Sequence, residues 1–301
     1  MRIAAAILLV LPLPGVAADP RLPAILERVS EEADNFQQRA LKVVGQEVLQ
    51  HKGRQIPSRF RYLTGHVSTD PPKVAYIERR VVSEYGYASF KEAPDALREF
   101  RQVVSVDGRR VLDSEKARQS LAINMSSDDD RLRKRMLQDF EKYGMVGAAT
   151  DFGQMILLFR RRMLAGYEFA VLREASIGAD SALVLSYKQK DGPDSLRVYH
   201  GREMERQKLE GELWVRSSDY VPLRITMAAQ VQEDKRPVRH TATIEYVRSS
   251  HGLLLPATVR YRKTIEDELM VENVYQYSGF KMFQVEAEIK FTAEEEPLPP
   301  Q

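Results

Sequence analysis

Five histidines, His51, His66, His200, His240 and His251, are the side chains of this sequence best suited to acid–base work or metal ligation near neutral pH. Their spacing serves neither. No two stand in the HExxH pattern that sets a pair of imidazoles on one helix face around zinc. His240 shares a strand face with Val238 and Ala242, where a hydrogen-bonded core histidine is the expected role. Asp128, Asp129 and Asp130 could surround a cation, but consecutive helix positions point in different directions. The run reads better as the acidic first turn of a helix, favourable against its dipole. Nucleophilic chemistry fares no better. There is no GxSxG elbow and no glycine-rich phosphate loop behind a strand. Ser278–Lys281 matches S-x-x-K, yet in a strand rather than at the helix start that the chemistry needs. Glu266 and Asp267 read as hairpin-turn residues. The chain has no cysteine, which removes thiol nucleophiles, cysteine–zinc sites and disulfides. No enzymatic activity, cofactor or metal is expected.

Charge is equally uninformative about partners. Lys and Arg number 45 against 43 Asp and Glu, a net +2 with no long run of one sign. The clusters Arg160–Arg162 and Arg131, Arg133, Lys134, Arg135 fall in expected helices, flanked by acids or apolar residues. They read as solvated helix faces rather than a nucleic-acid footprint, which needs a concentrated basic surface with stacking aromatics.

The amino terminus has the form of a cleavable export signal. Arg2 supplies the positive charge, Ile3 to Leu13 an apolar run of roughly ten residues, and Val16 and Ala18 the small residues before a cut at Asp19. The run is short of the ~20 residues that span a bilayer. A periplasmic or secreted protein is expected, stabilised by its core alone.

The elements that would position any site follow from periodicity. Pro23 to Leu49 reads as one helix, with Ile25, Leu26, Val29, Ala33, Phe36, Ala40, Leu41, Val44 and Val48 at helical spacing. Two strands over Arg59–Phe90 and a third over Leu97–Val106, ended by Asp107-Gly108, come next. Residues 114–166 form a helical insertion. In it, Asp128–Tyr143 is capped by Ser126 or Ser127, and Asp151–Ala165 is an apolar helix with Phe152, Met155, Ile156, Phe159 and Met163 on one face. Nine strands then run from Tyr167–Glu174 to Gln284–Thr292 as a meander. Leu223, Ile225, Met227, Ala229, Val231 and Val285, Ala287, Ile289, Phe291 alternate with polar neighbours, the period of half-buried antiparallel strands. One domain over 19–292 is expected, with a disordered acidic, proline-rich tail at 293–301.

About ten to twelve strands in one open sheet must curl. The expected class is therefore α+β: a large curved antiparallel sheet, an open half-barrel, covered by a helical lid. The expected lining of the concave face is Met155, Phe159 and Met163 from the lid and Leu185, Tyr187, Leu213, Leu223, Ile225, Met227, Ile244, Tyr246, Leu255, Val259, Tyr261, Val271 and Tyr275 from the sheet, with Leu183 and Val215. These residues either enclose an apolar cavity or are simply core.

Three local motifs, in order behind the export signal, resemble the LolA/LolB-type lipoprotein-carrier superfamily. They are Gly211-Glu212-Leu213-Trp214-Val215 with Pro222-Leu223-Arg224-Ile225, then Tyr246 with Gly252-Leu253-Leu254-Leu255-Pro256, and Tyr275-Gln276-Tyr277-Ser278-Gly279-Phe280. The likeness covers roughly Glu210 to Phe283 and is closer to secreted members of unassigned role than to the carriers. It implies an unclosed barrel around a helical lid, and an early-strand arginine holding that lid, with Arg59, Arg61, Arg79 and Arg80 as the candidates.

Two functions remain open. The first is a monomeric exported protein that binds a lipid, an acyl chain or a lipidated protein under the lid, as carrier or sensor. The second is a non-enzymatic envelope protein with a filled core that binds another envelope protein.

Overall fold

The computed structural model describes residues 19–55, 74–90, 93–126, 130–145, 151–190, 196–200, 203–233 and 236–282. The export signal, the strand expected before Pro71, the strand at Gln284–Thr292 and the tail lie outside them.

Helix α1 (Leu22–Arg39) begins with a proline in its first turn and buries Ile25, Val29, Ala33 and Phe36, a single stripe at three- and four-residue spacing. It ends earlier than its apolar pattern suggests. After a 3-10 turn at Ala40–Lys42 the chain becomes strand β1 (Val43–Arg54), not further helix. The correction has a long-range cause: β1 is gripped on both sides, by β2 (Tyr76–Phe90) and by β13 (Glu268–Met282). Two flanking ladders outweigh local helical spacing.

The remaining strands are β3 (Ala93–Val106), β4 (Arg109–Arg110), β5 (Tyr167–Ile177), β6 (Asp180–Gln189), β7 (Leu196–His200), β8 (Glu203–Gln207), β9 (Glu210–Arg216), β10 (Pro222–Glu233), β11 (Arg236–Arg248) and β12 (Leu254–Ile265). Eleven of the strands make one antiparallel sheet in the order β4-β3-β2-β1-β13-β12-β11-β10-β9-β6-β5, and β7 and β8 form a separate hairpin. The sheet does not close, since β5 and the β3–β4 side remain edges. The fold class is α+β, an open curved sheet with helices. Asp107 and Gly108 make the β3–β4 turn with φ of 50° and 77°, as expected of an Asp-Gly pair.

The two faces of the sheet carry different cargo. On one, α2 (Ser114–Ser126) packs Leu121 against Val44, Ala88 and Phe100. The other face holds the main core, to which α1 contributes its stripe and α3 (Asp130–Lys142) adds Met136 and Phe140. Alternation on β10 is clean: Leu223, Ile225, Met227, Ala229 and Val231 are buried while their odd-one-out neighbours are less so.

The expected helix over Asp151–Ala165 is absent. Residues 151–166 are irregular, with 3-10 turns at Met155–Phe159 and Leu164–Gly166. The apolar residues that suggested a helical face are apolar because the segment is covered twice, by α1 on one side and the sheet on the other. With both sides buried, an amphipathic helix is not what packing selects.

Candidate functional site

The site begins at the segment 151–166, which starts beside β3 and crosses the inner face of the sheet to reach β5. Its contacts mark the route. The Glu99 N–H on the outer edge of β3 donates to Asp151 Oδ1 at 3.1 Å. The ring of Phe152 lies 5.0 Å from that of Tyr261 on β12. The Ile156 N–H donates to the Tyr246 hydroxyl on β11 at 3.0 Å. Phe159 then sits edge-on to Tyr187 of β6, 5.0 Å between centroids, with Tyr167 and Phe169 of β5 around it. Arg160 bonds Asp34 at 3.2 Å and so ties the segment to α1. The segment is a plug laid along the concavity.

Beneath its first residues lies a buried charge centre. Alternation on β3 puts Leu97, Glu99, Arg101 and Val103 on the inner face. Arg101 Nε donates to both oxygens of Glu47 on β1, at 2.8 and 2.9 Å, and its Nη2 donates to Glu99 Oε2 at 2.6 Å. These side chains are at most 1% exposed. The guanidinium also lies over the rings of Tyr85 and Tyr275, at 5.3 and 5.5 Å. Two buried carboxylates meet one buried guanidinium, an arrangement that adds little net stability because desolvation offsets the attraction.

The second carboxylate is held in an uncommon state. Burial pushes the Glu99 pKa up to about 8, against the pull of Arg101 and with further upward push from Asp151 and Glu47. Glu99 therefore carries its proton at neutral pH. Its Oε1 has no hydrogen-bond partner among the described residues, and neither do the hydroxyls of Tyr85 and Tyr87. Burial raises both tyrosines well above their ordinary pKa, so both hydroxyls stay protonated. Gly153 of the plug sits over this group. A methyl there would come within 2.9 Å of Glu99 Oε1 and of the Tyr85 hydroxyl, and 3.2 Å of the Pro256 ring. Only glycine fits.

From the charge centre a polar chain leads toward one end of the sheet. Asn273 Nδ2 donates to the Tyr275 hydroxyl at 3.2 Å, and Asn273 Oδ1 lies 2.6 Å from His51 Nδ1. Burial lowers the His51 pKa, so the ring is neutral at pH 7. His51 lines a surface cleft of about 510 Å³ with Lys52, Arg79 and Asp107. His240 bonds the Tyr261 hydroxyl at 2.8 Å, and His251 is exposed. His66 lies outside the described residues, and His200 is on β7.

Of the residues expected to line the concave face, Met155, Phe159, Leu185, Tyr187, Leu213, Ile225, Met227, Ile244, Tyr246, Leu255, Val259 and Tyr275 fall in one buried cluster, as do Leu183 and Val215. Leu223 and Tyr261 are buried outside that cluster, and Met163 and Val271 are half-buried. Among the early-strand arginines, Arg79 bonds the Tyr143 carbonyl and Asp107 near the surface. Arg80 is exposed, and Arg59 and Arg61 lie outside the described residues. Arg101, which reading from sequence passed over, occupies the buried position. Its signal was present in the alternation Leu97-Arg98-Glu99-Phe100-Arg101-Gln102-Val103.

No family model matches the chain, and no curated protein matches it. Among solved structures it is similar to a LolA superfamily protein from Nitrosomonas europaea, at 13% identity over 86% of this chain and 94% of that one, with a TM-score of 0.32. It is also similar to a DUF1329 family protein from Desulfovibrio piger, at 11% identity over 88% of this chain and 94% of the other, with a TM-score of 0.36. Neither likeness bears on what this chain binds.

Proposed function

We propose that this protein is an exported, non-enzymatic binder of a single amphiphile, as carrier or sensor, and that the ligand occupies the concave face in place of residues 151–166. The observation that carries the reading is the nature of the cover. A broad apolar face is closed by an irregular segment that spends few backbone hydrogen bonds on it, rather than by a strand or a regular helix. Segments of this kind open at lower free energy than the sheet beneath. Once displaced, the segment would leave the lining from Leu185 to Tyr275 free for an acyl chain, at ~0.8 kcal/mol per buried CH₂ group. The sequence of the first eighteen residues supports export to the periplasm or the cell exterior. No helix of the described residues is long and apolar enough to cross a membrane. A lipid or a lipidated protein is the proposed partner of a monomer.

The filled interior favours a second reading, an envelope interaction protein whose plug never moves. A cysteine pair separates the two, since the chain has none of its own. Phe152→Cys with Tyr261→Cys, joined by a short bifunctional thiol cross-linker, ties the plug to the sheet where their rings now meet. Binding of a neutral acyl probe, followed by native mass spectrometry, is expected in the double variant before cross-linking and lost after it. Equal binding in both states would refute plug displacement. No binding by wild-type protein would leave the interaction role as the reading.

A further inference from the structure

The charge centre under Gly153 holds more hydrogen-bonding capacity than the closed protein uses. Glu99 Oε1 and the Tyr85 hydroxyl are fully buried, lie together beneath Gly153 of the plug and have no hydrogen-bond partner among the described residues. A buried polar atom without a partner is costly and uncommon, and it persists where something else demands it. Here the demand has a location. The space these atoms face is taken by a glycine backbone so close that no side chain fits between.

The charge balance gives the chemistry. Two fully buried carboxylates, Glu47 and Glu99, share one guanidinium, and a third carboxylate, Asp151, stands at the β3 edge and also reaches Arg98 at 3.9 Å. Arg101 directs its Nε at Glu47 and its Nη2 at Glu99, and the Glu47 charge already balances it, so an anion arriving at Gly153 would add a second negative charge beside Glu47 and Asp151. A cation would meet Glu99 Oε1 and the hydroxyl oxygen of Tyr85. An ammonium has three donors and no acceptor, the complement of that group. Its approach also lets Glu99 ionise, which converts neutral contacts into charge-assisted ones.

We propose that the buried polar group beneath Gly153 is a head-group site for a cationic amphiphile, its ammonium seated between Glu99 and Tyr85 where the Gly153 backbone now lies. The alkyl chain then follows the path vacated by Ile156 and Phe159 toward Tyr187. The inference rests on the amphiphile-binding reading and narrows its ligand class to amines, as against carboxylates and phosphates.

The test is isothermal titration calorimetry of the purified protein at pH 7 with decylamine, decanol and decanoate, whose chains are equal. The amine is expected to bind about tenfold more tightly than decanoate, the increment of one charge-assisted hydrogen bond. In Glu99→Gln that preference should shrink to within about threefold. Tyr85→Phe keeps the ring and should weaken amine binding alone, which guards against a Gln variant that folds poorly. Decanoate binding as tightly as the amine would overturn the head-group site while leaving the amphiphile reading intact. So would a preference unchanged in both variants. Failure of all three probes to bind would overturn both.

Discussion

The Tyr246 hydroxyl accepts the Ile156 N–H at 3.0 Å across 90 residues of sequence, in a position with no access to solvent. It ties the middle of the plug to the middle of the sheet. Tyr246→Phe leaves the ring in place and strands a buried donor. The expected cost is about 1–3 kcal/mol, local to the plug. Hydrogen exchange should show faster exchange for amides 153–159 with those of β11 and β12 unchanged.

Gly153→Ala pushes a methyl against Glu99 and Tyr85. Overpacking of this kind costs about 1–3 kcal/mol. Under the proposed function that strain falls on the closed state alone, so the variant should bind a neutral acyl probe more tightly than wild type as the competent population rises. A titration of both proteins checks the direction.

Arg101→Met removes the guanidinium that Glu47 and Glu99 share. Leaving the buried Glu47 carboxylate without its partner is expected to cost about 3–5 kcal/mol at pH 7. Urea denaturation of the two proteins measures it.

Glu99 makes stability depend on pH. Its pKa is near 8 in the folded protein against 4.5 as the ordinary value, so the folded state binds the extra proton between these values. Its contribution is fully present below about pH 4.5 and is lost as pH rises through about 8, at no more than ~1.4 kcal/mol per pH unit. Thermal melts at pH 5, 6, 7 and 8 should therefore fall more steeply for wild type than for Glu99→Gln. Parallel profiles would contradict the assignment.

What sequence could reveal here depended on whether a strand's two faces differ in polarity. They do on β10, where every buried position from Leu223 to Val231 is apolar, and the sheet was legible from that pattern. They do not on β1, whose inner residues include Glu47 and His51 beside Leu49. With polar residues on the buried face, the period of two vanished, and Val44 and Val48 at four-residue spacing imitated a helix. The same masking hid the charge centre, because Glu99 and Arg101 look solvent-facing until Leu97 and Val103 are seen to share their face. The plug misled in the opposite way. Phe152, Met155, Ile156 and Phe159 have helical spacing, but packing on two sides adds Leu157 and Leu158 between them and makes spacing uninformative. The apolar lining could be named residue by residue, while the element that covers it could not.

The register of β1 with β13 runs from Val43 against Met282 to Gly53 against Val271. The middle of the sheet is thus made from the two ends of the described chain, a separation that makes folding slow. A chain emerging from its amino terminus can form α1 and the β2–β3 hairpin early, but β1 stays half-paired until β13 arrives almost last. Until then Glu47 and His51 have no closed interior to sit in. Assembly is consequently timed by β13. Truncation by one strand at the carboxyl end would be felt first at residue 47, not at the cut.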